Sequence, residues 1–137
     1  MAFVHGKDSI FKIDNAGDSL TDISAYVTNV DGLPGDTATG KTTTLGKASE
    51  TYIAGLHDAS ITVALIWDAT LDGIIGTVTE QKVIRDVEYG PAGGDSGKVR
   101  HSCAVFITSY KVGSPVGDVV TASLTLQKSG DLTTGTF

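Results

Sequence analysis

The chain has 137 residues, a formal net charge of −6 and a single cysteine, Cys103, so it suits one domain over residues 1–137 with no internal disulfide framework. The acidic balance excludes a nucleic-acid grip built on a basic stripe and is compatible with a surface that repels phosphates. No stretch approaches the roughly 20 apolar residues of a membrane span, and the opening MAFVHGKDSI lacks the apolar core of a secretory signal. The expectation is a soluble protein made in a cytoplasm, with no membrane partner.

Glycine is frequent, at 17 residues, and Thr and Val are abundant. β-branched residues fit a pleated surface and lose rotamer freedom in helices. In chain order, residues 9–14 (SIFKID) read as a strand, NAGDSLTD as a turn, and 24–30 (SAYVTNV) as a second strand closing a hairpin over 9–30. A long Gly/Thr-rich stretch, 31–58, follows with only scattered apolar anchors: Leu33, Leu45, Tyr52, Ile53 and Leu56. Segments that long with little core signal tend to be functional, and an extended hairpin reaching away from the body fits this one.

Residues 60–67 (SITVALIW) alternate cleanly, with Ile61, Val63, Leu65 and Trp67 on one face. The period then changes over 68–80. Leu71, Ile74, Ile75 and Val78 fall on one helical face, with Asp68 or Thr70 as the cap. That predicts one short helix packed on the Ile61 face, despite the cost of Gly73 and Gly76. Strands follow over 82–89, 100–112 and 118–127, and the tail SGDLTTGTF reads as an edge strand or a free arm. The sum is a mainly β fold, an antiparallel sandwich or barrel of about six or seven strands with one short helix and a long extended loop.

Residues 35–42 (GDTATGKT) match the phosphate-binding P-loop letter for letter. The chemistry of that motif needs a buried strand before it and a helix after it, whose N-terminus and backbone amides hold the phosphates. Here TNVDGLP precedes and TTLGKASETY follows, with no apolar helical stripe. Asp68, at the end of ITVALIWD, imitates the acidic partner of such a loop, but no further βα units follow. Lys41 therefore reads as a solvated loop charge or an intersubunit contact. The other look-alikes fail in similar ways. Gly94-Asp95-Ser96-Gly97 is followed by Lys98, in a chain too short for a protease double barrel. Asp14, Asp18 and Asp22 place Gly17 and Ala25 where a calcium loop needs other residues, which leaves at most a weak cation site. His5, His57 and His101 have no ligand-like spacing. No catalytic residue, cofactor or metal is expected.

Several segments in fixed order carry a resemblance. DSIFKIDNAGDSLTDISAYVTNVDGLPG is followed by the Thr/Gly-rich loop, then by KASETYIAGLHDASITVALIWDATLDGIIG, VEYGPAGGDSGKVRHSCAVFITSY, and SPVGDVVTASLTLQKSGDLTTGTF. Together they span nearly the whole chain and resemble the major tail tube proteins of long-tailed bacteriophages, a fold shared with type VI secretion tubes. The resemblance implies six-fold rings with a continuous inner barrel, stacked into a hollow tube through which DNA leaves the capsid. It implies a tape-measure protein and a tail terminator as partners, a place in the virion, and most commonly a tail without a contractile sheath. It also implies that the loop after the second strand reaches an adjacent ring. Residues 31–58 are then the stacking loop, with Leu33, Gly35, Gly40, Lys41, Thr43, Leu45, Lys47 and Tyr52 as candidate contacts.

DNA must slide through such a lumen without being held, so the lining should be acidic or neutral and polar. The face Thr121, Ser123, Thr125 and Gln127 is one candidate lining, and Asp86 with Glu88 is a second; an ordinary solvated face is the alternative for both. Two other functions stay open: a related phage assembly protein, such as a tail terminator or head decoration protein, and, least favoured, a P-loop nucleotide-binding protein.

Overall fold

The structure, a computed structural model, describes residues 3–137. Ten strands and two short helices are present, with a 3-10 turn at Gly6–Asp8. The strands are β1 (Ile10–Asp14), β2 (Leu20–Asp22), β3 (Val27–Asp31), β4 (Asp36–Lys41), β5 (Tyr52–Asp58), β6 (Ser60–Ile66), β7 (Arg85–Gly90), β8 (Val99–Gly113), β9 (Thr121–Lys128) and β10 (Thr133–Thr136). The helices are α1 (Ala69–Ile75) and α2 (Val78–Gln81). Eight strands form one sheet in the order β2-β1-β7-β8-β9-β6-β3, with β10 also on β8; β4 and β5 pair only with each other. Every pairing is antiparallel.

A short link joins the two ends of the strand order. β2 and β3 are the two ends of the strand order, yet only residues 23–26 separate them in the chain. That link is bonded to both sides: Ile23 N–H donates to Phe11 O (3.1 Å) and Ile66 N–H to Tyr26 O (2.8 Å). The interior holds the alternate residues of five strands, Phe11 and Ile13, Ile61 through Leu65, Val87, Cys103 through Ile107, and Ala122 through Leu126. Leu71 and Ile75 of α1 close the cluster. The alternation of 60–67 and 118–127 thus places the core as expected, because side chains in a strand alternate faces.

Three sequence expectations need correction. The first hairpin is β1 with β2, registered Lys12 opposite Asp22, while β3 pairs β6 at the far end. Asn15 explains the shift: its side-chain oxygen accepts from Gly17 N–H (2.8 Å) and Ser19 N–H (3.1 Å), so the turn closes by residue 19 and frees 20–22 to pair. The second correction is the helix, which is two helices. Asp68 caps α1 by accepting from Thr70 N–H (2.9 Å). Gly76 then turns to φ 84°, a conformation that ends the helix, and Thr77 with Glu80 forms a fresh capping box for α2. Val78 is consequently 69% exposed and not part of the core stripe. The third is β7, which starts at Arg85, because 82–84 belong to the turn that ends α2.

Arg85 ties this corner together. Its side chain is buried and donates to the carbonyls of Asp14 (3.4 Å), Ile74 (3.2 Å), Ile75 and Glu80 (3.1 Å). A guanidinium presents five donors in a rigid fork and so can satisfy the loose carbonyls at the end of α1. Asp14 lies beside it, and burial is the main cause holding its carboxyl above the usual range. On the other side of α1, Asp72 accepts from Tyr110 Oη–H (2.7 Å) and Trp67 Nε1–H (3.2 Å). Burial and that bond push the Tyr110 phenol up to about 12.

Candidate assembly surfaces

The segment 31–58 is a β-hairpin arm. β4 and β5 pair from Asp36 opposite Asp58 to Lys41 opposite Tyr52, and none of their residues is buried. The arm continues the β3–β6 ladder after a break, since Asp31 pairs with Thr62 just before it and Ala59 alone separates β5 from β6. Glycine makes the break possible. Gly32 and Gly35 have φ of 118° and 109°, and a Cβ on either would lie 2.1 Å from Ser60 O or 2.6 Å from Ala59 Cβ. Leu33 packs partly against the core between them and anchors the base. Seven residues of β5 reach about 23 Å. Leu45, Tyr52, Ile53 and Leu56 all stand exposed along that length.

The P-loop match is extended strand. Residues 36–41 are β4, and no helix follows them, so the backbone amides alternate along an extended strand instead of converging on a phosphate cradle. Lys41 Nζ is paired with Glu50 Oε1 (2.6 Å), and Tyr52 Oη–H donates to Glu50 Oε2 (2.6 Å). Bonding to Lys41 first, then Tyr52, holds the Glu50 carboxyl below its usual range. Thr43 Oγ1 accepts from Thr51 N–H (2.8 Å) near the tip. Gly40 faces Ile53, while Leu45 and Lys47 lie exposed in the tip turn.

The candidate lining residues all project from the outer surface of the curled sheet. Gln127, Thr125, Ser123 and Thr121 pair opposite Ser60, Thr62, Ala64 and Ile66 of β6. That face is mostly polar, and its charges include Lys111, opposite Ser123, and Asp31, opposite Thr62. Asp86 and Glu88 project outward from β7, opposite Ala104 and Ser102 of β8. β7 lies two strands from β9 in the order, on the other side of β8. The β7 surface is also occupied: Glu88 meets Arg100 (3.5 Å), and Lys12 and Arg100 each lie 5.7 Å from the ring of Phe137.

One layer has two free edges. β3 pairs only β6. β7 pairs β8 along 101–105, leaving the same edge of β8 from Phe106 to Gly113 without a strand partner among the described residues. Unpaired edges invite another chain.

The remaining motifs form no site. Residues 94–97 lie in a turn closed by Lys98 N–H donating to Asp95 O (3.1 Å). Asp22 accepts from Ser24 N–H (2.9 Å) and so serves its own turn. His57 lies on the arm, His101 stacks on Tyr89, and His5 caps the 3-10 turn. Among the described residues no group of three potential ligands could hold a metal ion, and no helix is long and apolar enough to cross a membrane.

No protein-family model and no curated protein sequence matches the chain. Solved structures do match over its whole length. The tail of an empty gene transfer agent particle, refined helically with C6 symmetry, superposes at a TM-score of 0.76 with 18% identity, covering 96% of this chain and 98% of that one. The tube in the extended PVC extracellular contractile injection system gives 0.67 with 16% identity, covering 98% and 93%. The SPP1 tail tube gives 0.67 with 16% identity, covering 98% and 80%. The chain has the fold of these tail tubes, as the resemblance read from its sequence implied.

Proposed function

We propose that this chain is a major tail-tube subunit: a structural virion protein that forms hexameric rings, which stack into a hollow tube conducting DNA from capsid to host. The observation that carries this is the layer β3-β6-β9-β8, polar on its outer face and unpaired at both edges, in a fold shared with tail tubes. β3 runs antiparallel to β6, β6 to β9 and β9 to β8. β3 of one copy thus meets β8 of the next in antiparallel sense, and the alternation continues unbroken around a ring. Six copies, as in the C6 gene transfer agent tail, close one barrel with no edge left open. Thr121, Ser123, Thr125 and Gln127 line its lumen. Asp86 and Glu88, on β7 beyond β8, add acidic charge outside that layer. The four lining side chains offer phosphates no cationic hold, and Lys111, opposite Ser123 on the same face, is offset by Asp31, opposite Thr62, so DNA slides.

The arm is the ring-stacking element, and its Thr-rich GDTATGKT strand belongs to that contact, not to a nucleotide site. The subunit is not an enzyme and takes no cofactor. A tape-measure protein and a tail terminator complete the assembly. Electron microscopy of dilute and concentrated protein tests this. Hollow tubes with six-fold rings are expected; a single closed ring that never stacks points instead to a terminator or decoration protein. Lys41→Ala should leave ATP and GTP binding at background in both proteins; binding lost on that substitution would overturn the structural role.

A further inference from the structure

The two ends of the lumen layer differ, and they complement each other. β6 runs from Ser60 at the arm end to Ile66 at the other, and Thr121 and Gly113 lie beside Ile66 through their pairing. The β8–β9 turn, residues 114–120, therefore projects from the end opposite the arm. Val116 stands fully exposed at its crest, with Val112, Val119 and Ile66 also exposed at its base. Asp118 is its only charge.

At the arm end lies an open groove of about 670 Å³, lined by Leu56, His57, Lys128, Gly130, Asp131 and Leu132. It offers two leucines, the Lys128 ammonium and the Asp131 carboxylate. Lys128 is largely buried, yet within the described residues its three donors find one acceptor, Gly130 O at 2.7 Å.

We propose, resting on the tube reading, that the 114–120 turn of one copy docks into the arm-base groove of a copy in the neighbouring ring. Val116 packs between Leu56 and Leu132, and the Asp118 carboxylate approaches Lys128. The occupant is a second copy of this chain, because projection and groove lie at opposite ends of the same layer and match in apolarity, with donors of Lys128 left to take a carboxylate. A contact between unlike surfaces at opposite ends is heterologous, and where its rotation does not close it propagates head to tail as an open polymer. The arm then runs on past the docked turn along the next copy.

The test places the photoreactive amino acid p-benzoylphenylalanine at Val116, irradiates concentrated full-length protein, and maps the adducts by mass spectrometry. Adducts at residues 56–58 or 128–132 of another copy are expected. Tubes that form with adducts elsewhere, or with none between copies, overturn the docking and leave the tube reading standing. A second variant, Val116→Asp, should keep rings and an unchanged melting temperature while raising the concentration at which tubes appear about tenfold or more. Tubes at the unaltered concentration would overturn the docking. Wild-type protein that makes neither rings nor tubes would overturn the tube reading itself.

Discussion

The body and the arm are both antiparallel β structure, but different forces hold them. In the body, alternate residues of five strands are sealed into one interior, and apolar burial stabilises the sheet. In the arm, no residue of β4 or β5 is buried, and the pairing rests on backbone bonds, threonine hydroxyls and the Lys41–Glu50–Tyr52 contact. An isolated two-stranded hairpin is marginal in water. An arm of this kind holds its shape best against a partner, whereas the body needs none. Stability is therefore concentrated in the body, while the arm carries only exposed side chains and its own pairing.

Substitutions should separate the two. The largest effect on folding is expected in the body: Leu124→Ala, at a fully buried site, should cost about 2–5 kcal/mol in denaturant unfolding. A cost below about 1 kcal/mol would mean the interior is looser than its burial implies. At the junction, Gly32→Ala forces a side chain into a positive-φ position against Ser60 O and should cost more than about 1 kcal/mol while disturbing tube formation. If stability and tubes are both unaffected, the hinge does not set the arm's direction.

Asp14 gives a smaller effect whose sign depends on pH. Its carboxyl is raised mainly by burial, then by the nearby charges of Asp86 and Asp18, although Asp86 N–H bonds to it (2.9 Å). The folded chain thus holds that proton more tightly than the unfolded chain. The associated stability is present below the ordinary Asp range and lost as pH rises through the raised value. Asp14→Asn keeps an oxygen for Asp86 N–H, so it should raise the melting temperature at pH 7, and the gain should vanish below about pH 4. A melting temperature that falls at pH 7 would show that the charge itself is needed.

The smallest effects on folding belong to the arm. Removing residues 36–50 should change subunit stability by less than about 1 kcal/mol, yet permit rings and prevent tubes. Long tubes from that deletion would remove the arm from stacking. Glu50→Gln should leave the melting temperature unchanged, since the contact it breaks is exposed to solvent.

Much of the body was legible from residue order. The alternation in SITVALIW and TASLTLQ identifies buried and wet faces because a strand has a strict two-residue period. The weak core signal of 31–58 marked the arm for the same reason, by lacking a period to bury. The failures came where local chemistry outweighs period. Asn15 tightened a turn and released Leu20–Asp22 as a strand, and Gly76 with the Thr77 capping box cut one apolar helical stripe into two helices. Leu71, Ile74, Ile75 and Val78 satisfy a helical template equally well whether or not a glycine between them breaks the axis.

The sequence by itself determined the β class, the inward faces of β6 and β9, the exposed arm and the improbability of a working P-loop. Each of these follows from neighbours along the chain. Only the tertiary structure decided that β3 lies across the sheet from β1, and that Asp86 and Thr125 stand on strands flanking β8. It alone decided that β3 and the far half of β8 are left unpaired, and that the arm-base groove and the Val116 turn occupy opposite ends. These relations depend on which strands pair across long separations and on how the sheet curls. Interior packing selects both, and no local pattern encodes them.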